Sequence, residues 1–265
     1  MGGWCLDSIV CAVDRRLAKQ RVKQLLRRTV GEPYVGKRLK LRDLNRTIRT
    51  LQLNPRAVLD AGAEDATFVY WLADKFPDAH VTAVDIDGEA IAACVAARPS
   101  TYRSRVSFEE SHFSDLQSES FDLITAFDVL EHIDDDAGAV RDLYRALRPG
   151  GTLLVHVPRN VWTHRDGRKE VVPDHEAYRI NAGHVRMGYS PEGLAALLGD
   201  AGFEVVDTQL WLRRWGVTAF AVYGKVEPIV PLRLATIPFT DAAAVLDRGR
   251  PAAEGNSVFV RALKH

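Results

Sequence analysis

Two stretches of this chain carry residue types and spacings that could do chemistry. The first is Arg56-Ala-Val-Leu-Asp-Ala-Gly-Ala-Glu-Asp-Ala-Thr-Phe68. It reads as a buried strand over 57–60 with its acid at Asp60, then a glycine turn at Gly62 and a helix over 65–76. A strand feeding a helix through a tight small-residue turn leaves free backbone N–H groups at the helix start. That makes a socket for a nucleotide-like ligand at the edge of a parallel sheet. The second stretch, Asp128-Val-Leu-Glu-His132, follows a strand read over 121–127. Open α/β sheets place ligands beyond the carboxyl ends of their strands, so these three polar groups converge where a ligand would lie.

The elements that must position them follow from the hydrophobic pattern. Strands are expected at 57–60, 80–85, 105–109, 121–127 and 151–157, with helices at 65–76, 88–97 and 136–147 and a short turn near 113–117. Alternation at this spacing predicts βαβ units and a parallel sheet covered on both faces. Asp87 is placed to cap the helix 88–97. Arg148-Pro-Gly-Gly151 reads as a turn that reverses the chain into a strand. Ser190-Pro191 opens a helix that Gly202 ends, and 203–212 and 256–263 read as further strands. Between 213 and 250, apolar residues interrupted by Pro228, Pro231 and Pro238 suggest a helical insertion.

Charge divides the chain. Residues 1–53 hold 13 Lys/Arg against 4 Asp/Glu, and the remainder holds 22 against 31. Periodic leucines predict two basic helices, over 14–28 and 37–51. The expected organisation is therefore a basic helical arm over 1–54 and one α/β domain over 55–265, with insertions at about 159–189 and 213–250. A basic arm on an acidic body either docks on that body or binds an anionic partner; docking or solvated charge is the default. The three cysteines form no CxxC pair, which argues against a disulfide framework or zinc site and fits a reducing compartment. The start, Met1 to Val13, makes a poor signal peptide, and no apolar run nears the roughly 18 residues of a spanning helix. A cytoplasmic protein without stable membrane insertion is the expectation.

In order and spacing, five segments resemble the class I S-adenosylmethionine-dependent methyltransferases, in their small-molecule branch. They are Val58-Leu-Asp-Ala-Gly62, Val81-Thr-Ala-Val-Asp85-Ile-Asp87, Phe121-Asp-Leu-Ile124, Asp128-Val-Leu-Glu-His-Ile133 and Leu147-Arg-Pro-Gly-Gly151. The resemblance spans about residues 55–210 and implies a Rossmann-like, doubly wound, seven-stranded, mostly parallel sheet with helices on both faces. It also implies S-adenosyl-L-methionine as cofactor. Asp60 would lie near the methionine amino group, with Ala61 and Gly62 letting backbone approach. Asp85 would accept the ribose hydroxyls, as an acid does in dinucleotide folds. Ile86 would flank the adenine, and His112, Phe113 and Phe127 would complete the site. Two departures stand out: Ser111-His112-Phe113 replaces the usual acid after the third strand, and Glu64 and Ala66 replace the family's later glycines. A dehydrogenase is disfavoured, because the turn lacks G-x-G-x-x-G.

Transfer from a sulfonium needs an in-line nucleophile and a way to remove its proton. For an oxygen acceptor a histidine base is economical, and His132, with Asp128 and His184, is the favoured set. His156, inside a strand, reads as a satisfied core residue. His164 and His175 sit on the loop after the fifth strand. Arg159, Trp162, His164, Tyr178 and Arg186 of that loop would suit a polar acceptor such as a sugar, glycolipid or secondary metabolite. In the ubiquinone-pathway O-methyltransferases and small-RNA 2′-O-methyltransferases a similar run supplies metal ligands. Asp128, Glu131, His132 and His184 could match it, although a metal-free pocket is the favoured reading. Two other functions compete: a non-catalytic partner protein on a degraded fold, and an RNA methyltransferase using the arm. The lack of aromatic interleaving in the arm makes nucleic acid an unfavoured partner. Oligomeric state is left open.

Overall fold

The computed structural model describes residues 4–164, 166–172, 183–226, 229–247 and 254–265, with residues 4–14 and 230 described by backbone alone. Its strands are β1 (Ala57–Ala61), β2 (His80–Asp85), β3 (Val106–Glu110), β4 (Phe121–Phe127), β5 (Leu147–Pro158), β6 (Val161–Thr163), β7 (Lys169–Val171), β8 (Glu204–Trp211) and β9 (Ser257–Leu263). β6 and β7 form a hairpin of their own. The other seven make one sheet in the order β3-β2-β1-β4-β5-β9-β8. The pairs from β3 across to β5 are parallel, and β9 runs against both β5 and β8. This is the doubly wound, mostly parallel sheet expected from the sequence.

Continuous apolar strands follow from cover on both faces. Alternate side chains of β1 point to opposite sides. Val58 packs with Leu44, Val69, Leu72 and Ile91, which come from the helices α2 (Val35–Thr50), α3 (Thr67–Lys75) and α4 (Gly88–Ala97). Leu59 packs with Val140, Leu143, Leu194 and Leu198 on α5 (Asp136–Ala146) and α6 (Pro191–Asp200). The capping chemistry falls where the sequence placed it: Asp87 accepts from Ala90 N at 3.0 Å and Ser190 from Gly193 N at 2.9 Å, each cap contributing about 1 kcal/mol. One local expectation changes. Arg148-Pro-Gly-Gly151 is not a free turn but the bulged start of β5, where Gly150 takes φ 78° and donates to Lys264 O at 2.7 Å.

The arm is helical but longer and better integrated than its pattern suggests. α1 (Trp4–Val30) starts ten residues before the expected 14. α2 is no appendage, because Leu44 and Ile48 belong to the body's core. The basic residues are drawn to acids on the loops that follow the parallel strands. Arg16 meets Asp87 at 2.5 Å after β2, Lys37 meets Glu64 and Asp65 at 2.6 Å each after β1, and Lys40 pairs with Asp128 after β4. Lys23 and Arg27 also converge on Asp65. Part of the arm's positive charge is thus spent on acids of the body at the carboxyl end of the parallel strands. The insertion after β8 forms α7 (Arg214–Val226), α8 (Val230–Ala235) and α9 (Ile237–Leu246). Ala219, Tyr223, Ala243 and Ala244 of this cap pack on Val35 and Leu39 of α2, and Arg38 clamps Asp241 at 2.6 Å. Among the described residues no helix is long and apolar enough to cross a membrane.

Candidate functional site

The loops after β1, β2 and β4 surround a cavity of about 1120 Å³. At its first wall the β1 turn is fixed by backbone. Gly62 N and Ala63 N both donate to Val84 O at 2.9 Å. Gly62 has φ 86°, and a Cβ there would lie 2.3 Å from Val129 Cγ2, so only glycine fits the turn. The next two departures from the family pattern keep the glycine geometry without glycine: Glu64 has φ 42° and Ala66 has φ 58°. Left-handed backbone at non-glycine residues stores strain, and strain of this kind clusters at functional sites. The Glu64 side chain is 73% exposed and paired with Lys37, on the edge of the cavity that it helps to line.

Asp85 ties two loops together. One carboxylate oxygen accepts from Glu64 N at 2.9 Å and the other from Asp87 N at 3.0 Å. Gly62, Asp85, Ile86, His112, Phe113 and Phe127 all line the cavity. Asp60 and Ala61 lie behind the turn instead. Asp60 Oδ1 accepts from Thr125 Oγ1 at 2.6 Å, while Oδ2 is buried with no hydrogen-bond partner. Burial pushes the Asp60 carboxyl up to about 7. A buried carboxylate oxygen without a donor beside a bare glycine turn fits a cofactor that brings a cationic amine.

The second wall is the segment after β4. Asp128 has φ 55°, and its N–H donates to His156 O at 2.8 Å. Its two oxygens are taken by Lys40 and by His156 Nδ1, the latter at 2.8 Å. Burial would raise this carboxyl, but Lys40 and His156 outweigh it and hold it well below the usual range. A carboxylate can only accept, so His156 donates through Nδ1 and keeps a buried, unpartnered lone pair on Nε2. His156 is therefore not the satisfied core residue its strand position suggested. Burial lowers its pKa, which keeps it neutral.

His132 and His184 meet edge to face with ring centroids 4.7 Å apart. His132 Nδ1 lies 2.8 Å from Gly183 O. A carbonyl only accepts, so Nδ1 carries the proton and Nε2 the lone pair. Glu131 is fully buried with neither oxygen hydrogen-bonded; burial first, then Asp128, push it up to about 8. Ligand atoms of Glu131, His132 and His184 lie within 4.8 Å of one another, a set that could hold a divalent cation. Asp128, expected in that set, stands outside it because both its oxygens are engaged.

The expected acceptor residues scatter. Trp162 lines the cavity. Arg159 donates to Gly255 O at 3.1 Å. Arg186 braces the segment after β4 through Leu130 O and Ile133 O, both at 2.7 Å, and pairs with Asp136. His164 meets Glu170 within the β6–β7 hairpin at 2.8 Å. Tyr178 and His175 lie outside the described residues. Sequence reasoning missed Lys37 and Lys40 of α2, which line the cavity together with Trp211 at the end of β8, the first residue of a Trp/Tyr-rich segment over 211–223 that suits an acceptor. The charge imbalance between the two halves of the chain was the one signal for the lysines.

Comparison with known proteins gives the family and the fold. A family profile described as a methyltransferase domain matches residues 34–208. A probable S-adenosylmethionine-dependent methyltransferase of Mycolicibacterium smegmatis is 34% identical over 155 residues, 58% of this chain and 54% of the relative. The match thus spans about half the length of that relative. Trans-aconitate 2-methyltransferase of Deinococcus radiodurans is 29% identical over 212 residues, 74% of this chain and 79% of the relative. Phosphoethanolamine N-methyltransferase 2 of Haemonchus contortus, solved with S-adenosyl-L-methionine, superposes with a TM-score of 0.59 at 17% identity, over 91% of this chain and 59% of that one. At that identity the likeness is one of fold.

Proposed function

Because the chain belongs to the class I S-adenosylmethionine-dependent methyltransferases, we propose that it methylates a small molecule, at an oxygen, with His132 taking the proton. The cofactor, when bound, supplies an electrophilic methyl group. The chain's own residues do the rest. Gly62 gives the bare turn against which the cofactor's methionine end can lie, and the unpartnered oxygen of Asp60 is the acceptor for its ammonium. Asp85 keeps lone pairs for the ribose hydroxyls after bracing two backbone N–H groups. Ile86 would flank the adenine, and His112, Phe113 and Phe127 line the same cavity.

The observation that carries the oxygen reading is the His132 tautomer. The hydrogen bond to Gly183 O leaves Nε2 as the acceptor of a proton, beside the buried Glu131 and within reach of the same cavity. A positioned base of this kind contributes by taking the proton as the bond to methyl forms. Asp128, locked by Lys40 and His156, orients its neighbours and is not itself the base.

Calorimetry with S-adenosylhomocysteine tests the premise. A measurable dissociation constant is expected. Asp85→Ala should weaken it by about 1.5–3 kcal/mol, the scale of hydrogen bonds to a charged group. Absence of binding to the wild-type chain would leave a partner protein on a retired fold. Equal affinity in the variant would move the ribose away from Asp85.

A further inference from the structure

We propose that the acceptor carries an apolar body, alkyl or aryl, that lies along Tyr34, Phe220 and Trp162, with the buried Trp211 as its floor. Its small polar head then lies at the His132 end of the cavity. This rests on the methyltransferase reading above and names the substrate class of the same site.

The space comes first. A cavity of about 1120 Å³ exceeds the roughly 300–1,000 Å³ that suffices for one ligand of drug size. The cofactor wall uses the loops after β1, β2 and β3. Beside the polar groups of Lys37, Lys40, His156, Asn256 and Ser257, the remaining wall carries a patch built by Tyr34, Gly36 and Leu39 around the start of α2, Phe220 on α7, Trp162 on β6 and Trp211 on β8. The surfaces of this patch are apolar or aromatic.

The patch itself leaves little for a sugar to bind, and the unpartnered polar groups of the cavity, His156 Nε2, Ser257 Oγ and the Glu131 oxygens, belong to its other parts. Trp211 is 3% exposed, stacks on Phe259 with centroids 4.2 Å apart, and spends its N–H on Gln209 Oε1 at 3.0 Å. It therefore offers a fixed ring and no donor. The charges on this wall are already matched, Lys40 with Asp128 and Asp43 with Arg46. Arg159, His164 and Arg186, which a polar acceptor would need, are committed to other partners.

The rim has the same character. Tyr34 is 36% exposed and Phe220 39%. Gly36 is buried beneath both rings; a Cβ there would come within 3.2 Å of Phe220 Cε2 and 3.4 Å of Tyr34 Cε1. Large apolar groups at the rim of an apolar patch suit a ligand of the same kind.

The test uses 4-alkylphenols, from ethyl to hexyl, titrated calorimetrically into the full chain saturated with S-adenosylhomocysteine. Each methylene buried should tighten binding about fourfold, while glucose should give no binding. Phe220→Asp, at an exposed position, should flatten the dependence on chain length and leave S-adenosylhomocysteine affinity unchanged. Trp162→Ala should weaken every member of the series, and melting curves check that both variants fold. Affinity that ignores chain length would overturn the proposal. So would a steep dependence that both variants retain, since the phenols would then sit elsewhere. If S-adenosylhomocysteine does not bind, the methyltransferase reading falls by itself; the phenol series on the unliganded chain still decides whether the cavity takes an apolar body.

Discussion

The two halves of the cavity are built by different means. The half proposed for the cofactor is made of backbone and of residues that end parallel strands: Gly62 after β1, Asp85 closing β2, Phe127 closing β4. The half proposed for the acceptor is made of side chains that meet only in three dimensions. Tyr34 just ahead of α2, Trp162, Trp211 and Phe220 come from four stretches spread over most of the chain. The first half reads a ligand shared by a family, so its geometry is tied to the sheet itself. The second must vary with the acceptor, and helices packed on the sheet can change without disturbing it. Lys40 joins the halves: it stands on α2 beside the acceptor wall and reaches Asp128 at the end of the sheet.

The largest test of this division is His132→Ala. If His132 belongs to the chemistry of the junction, turnover should fall roughly 100- to 10,000-fold while S-adenosylhomocysteine affinity stays constant. Matched loss of both would place His132 in the cofactor half. Full loss of wild-type turnover on chelation, restored by a divalent ion, would transfer the role to a cation held by Glu131, His132 and His184.

A smaller effect is expected from Asp60, which sits behind the cofactor turn. Its folded carboxyl is raised to about 7 from the ordinary 3.8. Between those values the folded chain holds a proton that the unfolded chain has released. Its contribution to stability is therefore fully present below about pH 4 and lost as pH rises through 7. Asp60→Asn has no such proton to lose. The variant should gain on the wild type from pH 4 to pH 8, by on the order of 2–4 kcal/mol, seen as a widening gap between thermal midpoints. Saturating S-adenosylmethionine should narrow the gap at pH 7 if its ammonium meets the Asp60 carboxylate. A gap independent of pH would mean that Asp60 is ionised in the unliganded fold.

The same division explains what was legible in the sequence. The strands, the Asp-Ala-Gly turn, Asp85 and the caps at Asp87 and Ser190 could be read because local pattern determines them: period, turn chemistry and strand ends. The helix α2 was read as a helix, but not as core, because Leu44 and Ile48 do not announce what they pack against. Lys40 could not be found, since its partner Asp128 lies 88 residues away. His156 was misread for a related reason. Its strand position predicts burial, which is correct, but only the structure shows Asp128 holding one nitrogen and nothing holding the other. Arg186 looked like a substrate cation on its loop, and it serves as a brace for backbone carbonyls.

The smallest expected effect concerns Glu64, the residue that most weakens the family pattern in the sequence. Its left-handed backbone costs about 1 kcal/mol relative to glycine. Glycine in its place would relieve that strain but add freedom to the unfolded chain, a loss of about 0.5–1 kcal/mol. The ion pair to Lys37 is exposed on the Glu64 side and contributes little, and Lys37 keeps Asp65 at 2.6 Å. These terms nearly cancel. Glu64→Gly should therefore change stability by less than about 1 kcal/mol, and S-adenosylhomocysteine affinity should hold within a few fold. The turn already has the shape that glycine gives, and the carboxylate is spent on Lys37 of the arm. A tenfold loss of affinity would instead place the Glu64 carboxylate on the cofactor and make the departure from glycine a working part of the site.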